Sequence, residues 1–147
     1  MFVVDTSILV HAALSTSPHH ARAAAALSEW RSSDSDWFAT WPILYEFLRV
    51  VTHAAVVERP LSLADAHRFV DVLLRTPLVR VLVESERHAD VLRDVAAECP
   101  WVRGTLLHDF HTAVLMREYG VKEIRTADSD FFRFRFLRVV NPLVSDS

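Results

Sequence analysis

Short apolar runs alternate along this chain with longer segments in which apolar residues recur every three or four positions. Apolar runs bounded by polar or turn residues predict buried strands, and the longer periodic segments predict amphipathic helices. The predicted strands are residues 2–4, 37–40, 79–83, 123–126 and 137–140. Because strands and helices alternate throughout, the pattern predicts an α/β fold with a central parallel sheet covered by helices on both faces.

The predicted helices have recognisable beginnings and ends. Pro42 lies in the first turn of one helix, Ser62 is a favourable N-cap for another, and Gly120 fits the position that closes a third. The predicted helices are 8–14, 19–30, 42–53, 63–75, 86–98 and 106–119.

Large apolar side chains predict where the core lies. We expect Trp37 and Trp41 to be buried, and Trp101 to lie on a surface that faces a partner. The alternation of phenylalanine and arginine over 131–136 fits either an RNA contact or a partly buried return into the last strand. One apolar face of the helix 86–98 is expected to be buried, formed by Ala89, Leu92, Val95 and Ala96.

Composition restricts the class of protein further. The chain has 147 residues, 51% hydrophobic and 24% charged, so we expect a single globular domain, residues 1–147, rather than a disordered chain. No apolar run approaches the ~20 residues of a membrane span, and the start MFVVD lacks the features of a signal peptide. The single cysteine, Cys99, excludes an intrachain disulfide framework and favours a cytoplasmic location.

The net charge argues at first against a nucleic-acid partner. Sixteen basic residues against nineteen acidic ones give a formal charge of −3, whereas proteins that bind phosphate backbones are usually basic. Every basic residue except Lys122 is an arginine. Arginines suit bidentate phosphate contacts, but their excess can equally reflect genomic base composition.

Acidic residues collect where the predicted sheet would present its ligand-binding edge. Ligands of open parallel sheets bind beyond the carboxyl ends of the strands. Asp5 follows the first strand, and Asp128 and Asp130 follow the strand 123–126. Asp109 lies in the first turn of the helix 106–119, and Glu46 lies in the first half of the helix that begins near residue 42. We therefore expect these carboxylates to lie near one another.

Each acid also has a purely structural interpretation. The aspartates that follow strands could be helix N-caps, and Asp109 could complement a helix dipole. Glu46 shares a polar stripe with Arg49 and His53, so it could form an exposed ion pair. The coincidence of several acids at one sheet edge favours a shared chemical role. Among the histidines, His11 and His108 are expected to lie nearest to these acids.

Metal binding is the chemistry that such a cluster suits. Mg²⁺ and Mn²⁺ are hard cations that prefer carboxylate oxygens and water, and no HExxH or CxxC motif offers competing ligands. Without an ion, crowded carboxylates repel and raise one another's pKa values. A divalent ion removes that repulsion and can activate water for attack on a phosphodiester.

The segments that contain these acids resemble the motifs of PIN-domain ribonucleases. They are VVDTSILV at 3–10, LYEF at 44–47, LHDFHTA at 107–113 and TADSDF at 126–131. Their order and spacing, and the chain length, are similar to those of VapC, the toxin of bacterial and archaeal toxin–antitoxin pairs. The resemblance covers residues 2–140, and its third segment has His108 and His111 where the family more often has apolar or small residues.

The resemblance implies an α/β/α sandwich and a Mg²⁺- or Mn²⁺-dependent endoribonuclease that cleaves tRNA or ribosomal RNA. It also implies a homodimer that can enter larger assemblies with a cognate VapB-type antitoxin. Thr6 or Ser7, together with Thr126, would support the site through hydrogen bonds, and Asp130 is either an auxiliary acid or a cap. Carried over by position, the catalytic and metal-binding acids are Asp5, Glu46, Asp109 and Asp128.

Two other functions remain open. A weakly active or inactive PIN module could act by binding its antitoxin and contributing to repression of its own operon. A phosphoryl-transfer domain of another α/β class fits less well, since Lys122 begins a strand at the wrong end and no second acid follows Asp5 in DTS. If four acids hold metal, the remainder of the chain is nearly neutral, and the net charge no longer argues against RNA.

Overall fold

The computed structural model describes residues 1–145, and within them five strands form one parallel sheet. The strands are β1 (Phe2–Val4), β2 (Trp37–Thr40), β3 (Val79–Leu82), β4 (Glu123–Arg125) and β5 (Arg138–Val140). Their order in the sheet is β3-β2-β1-β4-β5, and every neighbouring pair is parallel. The predicted parallel sheet is confirmed, and its predicted strands match to within a residue or so at each end.

Helices flank this sheet and begin and end largely where the sequence predicts. They are α1 (Thr6–Ala13), α2 (His20–Ser32), α3 (Trp41–Val51), α4 (Leu63–Leu74), α5 (His88–Glu98) and α6 (Leu106–Tyr119). The Thr40 and Ser62 hydroxyls accept hydrogen bonds from backbone N–H groups in the first turns of α3 and α4. Gly120 has φ +69° and closes α6, in a left-handed conformation that favours glycine.

The order of the strands creates a crevice beside β1. The chain proceeds from β1 to β2 and β3 on one side, whereas β4 and β5 lie on the other side. The carboxyl ends of β1 and β4 are therefore adjacent, at the point where ligands bind in open α/β sheets. Val3 of β1 is paired with Ile124 of β4, and both side chains are fully buried.

Two predictions about the core are wrong. Trp37 is fully buried as expected, but Trp41 is 45% exposed because it is the first residue of α3 and lies outside the core. On α5 only Val95 of the predicted apolar face is buried, and Leu92 is 40% exposed. This helix packs mainly against α6, so only a narrow strip of it is buried. That strip includes Val95 and extends to Cys99, which directly follows the helix.

A short 3₁₀ helix, Ser129–Arg133, follows β4 and was not predicted. Phe131 and Phe134 are buried around it, whereas Arg133 is exposed and lies 4.4 Å from the ring centroid of Trp101. The segment is thus a partly buried return into β5, and an RNA contact by its arginines stays a prediction. Among the helices described, none is long and apolar enough to cross a membrane.

Candidate active site

Asp5 lies at the carboxyl end of the central strand and is 8% exposed. It occupies the N-cap position of α1, but its side chain makes no capping hydrogen bond. Instead its Oδ2 accepts hydrogen bonds from the Thr126 hydroxyl at 2.7 Å and the Ser7 hydroxyl at 3.1 Å. Burial raises the pKa of Asp5, and these two hydrogen bonds offset only part of that effect.

The same two hydroxyls join the first turn of α1 to the segment that follows β4. Ser7 Oγ lies 3.3 Å from Thr126 Oγ1 and accepts a hydrogen bond from the Ala127 N–H at 3.0 Å. Thr126 Oγ1 also accepts from the Asp128 N–H at 2.9 Å. Thr6 differs, because its hydroxyl donates to the Ile43 carbonyl and so joins α1 to α3.

Asp128 and Asp130 lie together after β4. Asp128 caps the 3₁₀ helix, because its Oδ1 accepts a hydrogen bond from the Asp130 N–H at 2.9 Å. The capping interpretation of Asp128 is therefore correct, but its carboxylate also meets other acids. Single carboxylate oxygens of Asp109, Asp128 and Asp130 all lie within 4.8 Å of one another. Asp130 is thus a member of the acidic group by position.

Among the acids of the cavity, Asp109 has the most clearly shifted pKa. It lies in the first turn of α6 and is half-buried among the other carboxylates. Burial, followed by the charges of Asp5, Asp128, Asp130 and Glu46, raises the pKa of Asp109 to about 7. A helix N-terminus would stabilise the carboxylate anion, so burial and crowding together outweigh any dipole effect.

Glu46 reaches the same cavity from α3, on the other wall. Its Oε1 accepts a hydrogen bond from Arg49 Nη2 at 2.7 Å, so the predicted ion pair is present. His53 does not join that pair, and its Nδ1 accepts a hydrogen bond from the Ala55 N–H. Glu46 thus contributes to both an exposed ion pair and the acidic cavity.

A cavity of about 600 Å³ brings these side chains together. His11, Arg49 and His108 line it as well, so the two histidines expected near the acids are there. The sequence did not single out Thr112, which lines the wall three residues after Asp109. Helical spacing could have indicated this residue. The acids and supporting residues on the wall are Asp5, Thr6, Ser7, Glu46, Asp109, Asp128 and Asp130, while Thr126 lies buried beneath them.

The donor set fits a hard divalent cation. Its oxygens come from carboxylates and hydroxyls, which Mg²⁺ and Mn²⁺ prefer over softer ions. After burial, the charges of the neighbouring acids contribute to the raised pKa of Asp109, so negative charge is crowded in the cavity. Arg49 pairs only with Glu46, in the part of the chain that the structure describes. A cation would supply the missing compensation.

Comparison with known proteins identifies relatives over nearly the full length. Residues 2–137 match the PIN domain family. Ribonuclease VapC33 of Mycobacterium tuberculosis is 33% identical over 146 residues, which cover 97% of this chain and 99% of the relative. Ribonuclease VapC48 of the same organism is 32% identical over 138 residues, 94% of each chain.

Solved structures share the fold at lower identity. VapC20 of M. tuberculosis, a toxin that cleaves the sarcin–ricin loop, has a TM-score of 0.64 at 18% identity and covers 93% of this chain and 97% of its own. VapBC2 of Rickettsia felis, bound to a promoter DNA fragment, has a TM-score of 0.68 at 15% identity, covering 95% and 97%. FitAB bound to a DNA fragment has a TM-score of 0.69 at 16% identity, covering 100% and 99%.

Proposed function

The chain belongs to the PIN-domain family, as a VapC-type ribonuclease, and we propose that it is a toxin that cleaves RNA internally in a reaction dependent on divalent metal. The observation that carries this proposal is the convergence of Asp5, Glu46, Asp109 and Asp128 on one open cavity. Such a concentration of carboxylates repels an RNA phosphate unless a cation is present. Metal binding and phosphodiester recognition are therefore linked at this site.

The acids take different parts in holding the ion. Asp109, Asp128 and Asp130 offer carboxylate oxygens close enough together to share one cation. Asp5 lies deeper, and the hydroxyls of Ser7 and Thr126 fix the orientation of its carboxylate. Positioned ligands reduce the reorganisation that the reaction would otherwise require.

Mg²⁺ or Mn²⁺ held by these acids would act as a Lewis acid, with the capacity to stabilise charge on the phosphate and to activate water. The residues of the chain control access to that ion. Asp109, with its pKa raised to about 7, must lose a proton before its carboxylate can act as a ligand. Glu46 holds the Arg49 guanidinium, which lines the cavity and would be within reach of a bound phosphate.

The substrate class that we propose is structured RNA, either tRNA or ribosomal RNA. VapC20, which shares the fold, cleaves the sarcin–ricin loop, and this likeness supports RNA as the substrate class. With four acids committed to metal, the rest of the chain carries little net charge. We therefore expect affinity for RNA to depend only modestly on salt.

We propose a VapB-type antitoxin as the protein partner. Two structures that share the fold are the VapBC2 and FitAB complexes, both bound to DNA fragments. The proposal includes a homodimer that can enter a larger assembly with the antitoxin, and a cytoplasmic location, where tRNA and ribosomes are found. A module that only binds its antitoxin and represses its operon is the competing function.

Cleavage by purified protein, freed of antitoxin, tests the proposal. Asp5→Asn and Asp109→Asn should each reduce metal-dependent cleavage of a structured RNA pool by roughly 1,000-fold, because loss of a metal ligand removes several kcal/mol of transition-state stabilisation. Asp90→Asn is the matched control, since Asp90 is an exposed acid in the first turn of another helix, α5. It should cleave as the wild type does.

Three results would contradict this proposal. Full cleavage in EDTA would show that the reaction does not depend on metal. Full cleavage by both cavity variants would show that Asp5 and Asp109 are not the metal ligands. Binding of a divalent ion without cleavage of any RNA would favour the antitoxin-binding module instead. Circular dichroism of each variant separates these outcomes from simple unfolding.

A further inference from the structure

A second group of metal-ligating side chains lies on the opposite side of α6 from the acidic cavity. It consists of Glu84, in the connection after β3, His88, the first residue of α5, and His111 of α6. One ligand atom from each of the three residues lies within 4.8 Å of the others. We call these three residues the histidine cluster.

His111 does not serve the acidic cavity, although it is only two residues from Asp109. Two residues correspond to about 200° around an α-helix, so the two side chains leave α6 in nearly opposite directions. His111 Nε2 lies 2.7 Å from Glu84 Oε1, and its ring meets the His88 ring edge-to-face with centroids 5.9 Å apart. His111 therefore belongs to the Glu84 side of α6 and not to the acidic cavity.

A buried carboxylate orients the second histidine. Glu118 has a side chain only 1% exposed, and its Oε2 lies 2.8 Å from His88 Nδ1. Its other oxygen accepts hydrogen bonds from the Ser85 N–H and hydroxyl. Burial raises the pKa of Glu118, but the hydrogen bonds from Ser85 and His88 outweigh it, so the pKa lies below its ordinary value. Glu118 is thus an anion that fixes the His88 ring.

We propose that Glu84, His88 and His111 bind Zn²⁺ or a similar borderline transition-metal ion. Two imidazoles and one carboxylate are a zinc donor set, whereas Mg²⁺ prefers oxygen alone. Metal-bound histidines commonly donate their other ring N–H to a carboxylate, and Glu118 stands in that relation to His88. The arrangement therefore contains both ligands and an outer partner.

The geometry needs only small adjustments to close around an ion. Ligand atoms about 2.0–2.1 Å from a tetrahedral zinc lie roughly 3.4 Å apart, within the spread of the cluster. Zinc would replace the proton that His111 and Glu84 share. The side chains of Glu84, His111 and His88 are 48%, 34% and 22% exposed, so water can reach the fourth position.

Zinc at this position would connect the start of α5 to the middle of α6. Hydrogen bonds already join the connection between β3 and α5 to the C-terminal end of α6, from Arg87 to the Glu118 carbonyl and from Tyr119 to the Val83 carbonyl. The ion would add a further link close to Asp109, yet outside the cavity. The two sites should therefore fill independently, each with its own class of metal.

Titration of tag-free protein with ZnCl₂ against a chromophoric chelator tests the proposal. Wild-type protein should bind one equivalent of Zn²⁺ in the presence of excess Mg²⁺, and Co²⁺ in its place should give a tetrahedral visible spectrum. Asp109→Asn should retain this equivalent, because the acidic cavity is not involved. His88→Ala and His111→Ala should each lose it, while His67→Ala, at an exposed histidine of α4, is the matched control and should keep it.

Glu118→Gln adds a graded measurement. Loss of an outer carboxylate partner commonly weakens metal affinity by roughly 10–100-fold, and we expect a change of that size with one equivalent still bound. Zinc affinity unchanged in both histidine variants would overturn the proposal. So would loss of the equivalent in Asp109→Asn, which would place the ion in the acidic cavity, or the absence of any stoichiometric binding to the wild type.

Discussion

The two sides of helix α6 carry similar acidic groups whose charges are balanced in different ways. On the cavity side, burial and then the charges of the neighbouring carboxylates raise the pKa of Asp109 to about 7. On the other side, Glu118 is more deeply buried, yet hydrogen bonds from Ser85 and His88 hold its pKa below the ordinary value. Burial alone therefore does not decide the state of a carboxylate in this protein. Its hydrogen-bond partners also matter, and of these two carboxylates Glu118 has partners that offset its burial, whereas the neighbours of Asp109 add to the effect of burial.

The largest loss of stability should follow a substitution of Glu118, on the side of α6 where the carboxylate has hydrogen-bond partners. Glu118→Gln removes a buried anion that accepts three hydrogen bonds, so the free energy of unfolding in EDTA should fall by about 1.5–3 kcal/mol. Glu98→Gln, which breaks an exposed ion pair with Arg117, should cost less than about 1 kcal/mol. Urea unfolding monitored by circular dichroism measures both. Equal losses in the two variants would mean that the hydrogen bonds from Ser85 and His88 do not stabilise the Glu118 carboxylate.

The fold was largely predictable because it depends on local patterns. Apolar runs located the strands, and Ser62 and Gly120 located helix ends by backbone chemistry that acts within a few residues. Trp41 was misplaced because apolar character alone does not distinguish an exposed first helical residue from a core one. The prediction of a sheet-edge acidic cluster rested on topology, which alternation of elements largely determines.

The partners of each side chain were harder to predict, because they depend on contacts distant in sequence. Thr126 reaches Asp5 across 121 positions, and only the family resemblance pointed to that contact. His88 and Glu118 lie 30 positions apart on different helices, so no spacing rule linked them. Asp128 both caps a 3₁₀ helix and faces Asp109, which shows that a structural and a chemical interpretation of one acid can hold together.

The cavity side of α6 should make the folded protein less stable as pH rises, whereas an acid held in a stabilising ion pair makes it more stable. The pKa of Asp109 is raised from 3.8 to about 7, so folding favours its protonated form. The resulting destabilisation is absent below the unfolded pKa, grows as pH rises between the two values, and is complete above pH 7. Metal-free protein should therefore lose about 1 kcal/mol of stability between pH 6 and pH 7.5 from this group.

Asp109→Asn isolates that contribution from the titration of histidines over the same range. The variant should show a flatter dependence on pH and, at pH 7.5 in EDTA, a higher melting temperature than the wild type. Mg²⁺ should raise the melting temperature of the wild type more at pH 7.5 than at pH 6, because protons compete for Asp109. Identical pH profiles for the wild type and the variant would contradict the burial and charge crowding around Asp109.

Arg49→Ala should give the smallest effect, and it probes Glu46, the one cavity acid with a basic partner among residues 1–145. Arg49 binds Glu46 at an exposed position, so its removal should leave the melting temperature almost unchanged. Glu46 would then become available to the metal, and half-saturation by Mg²⁺ should occur at roughly two- to fivefold lower concentration. The gain should shrink at high salt, because exposed charges are screened. Weaker Mg²⁺ binding in this variant would show instead that Arg49 holds Glu46 in the position from which it meets the ion.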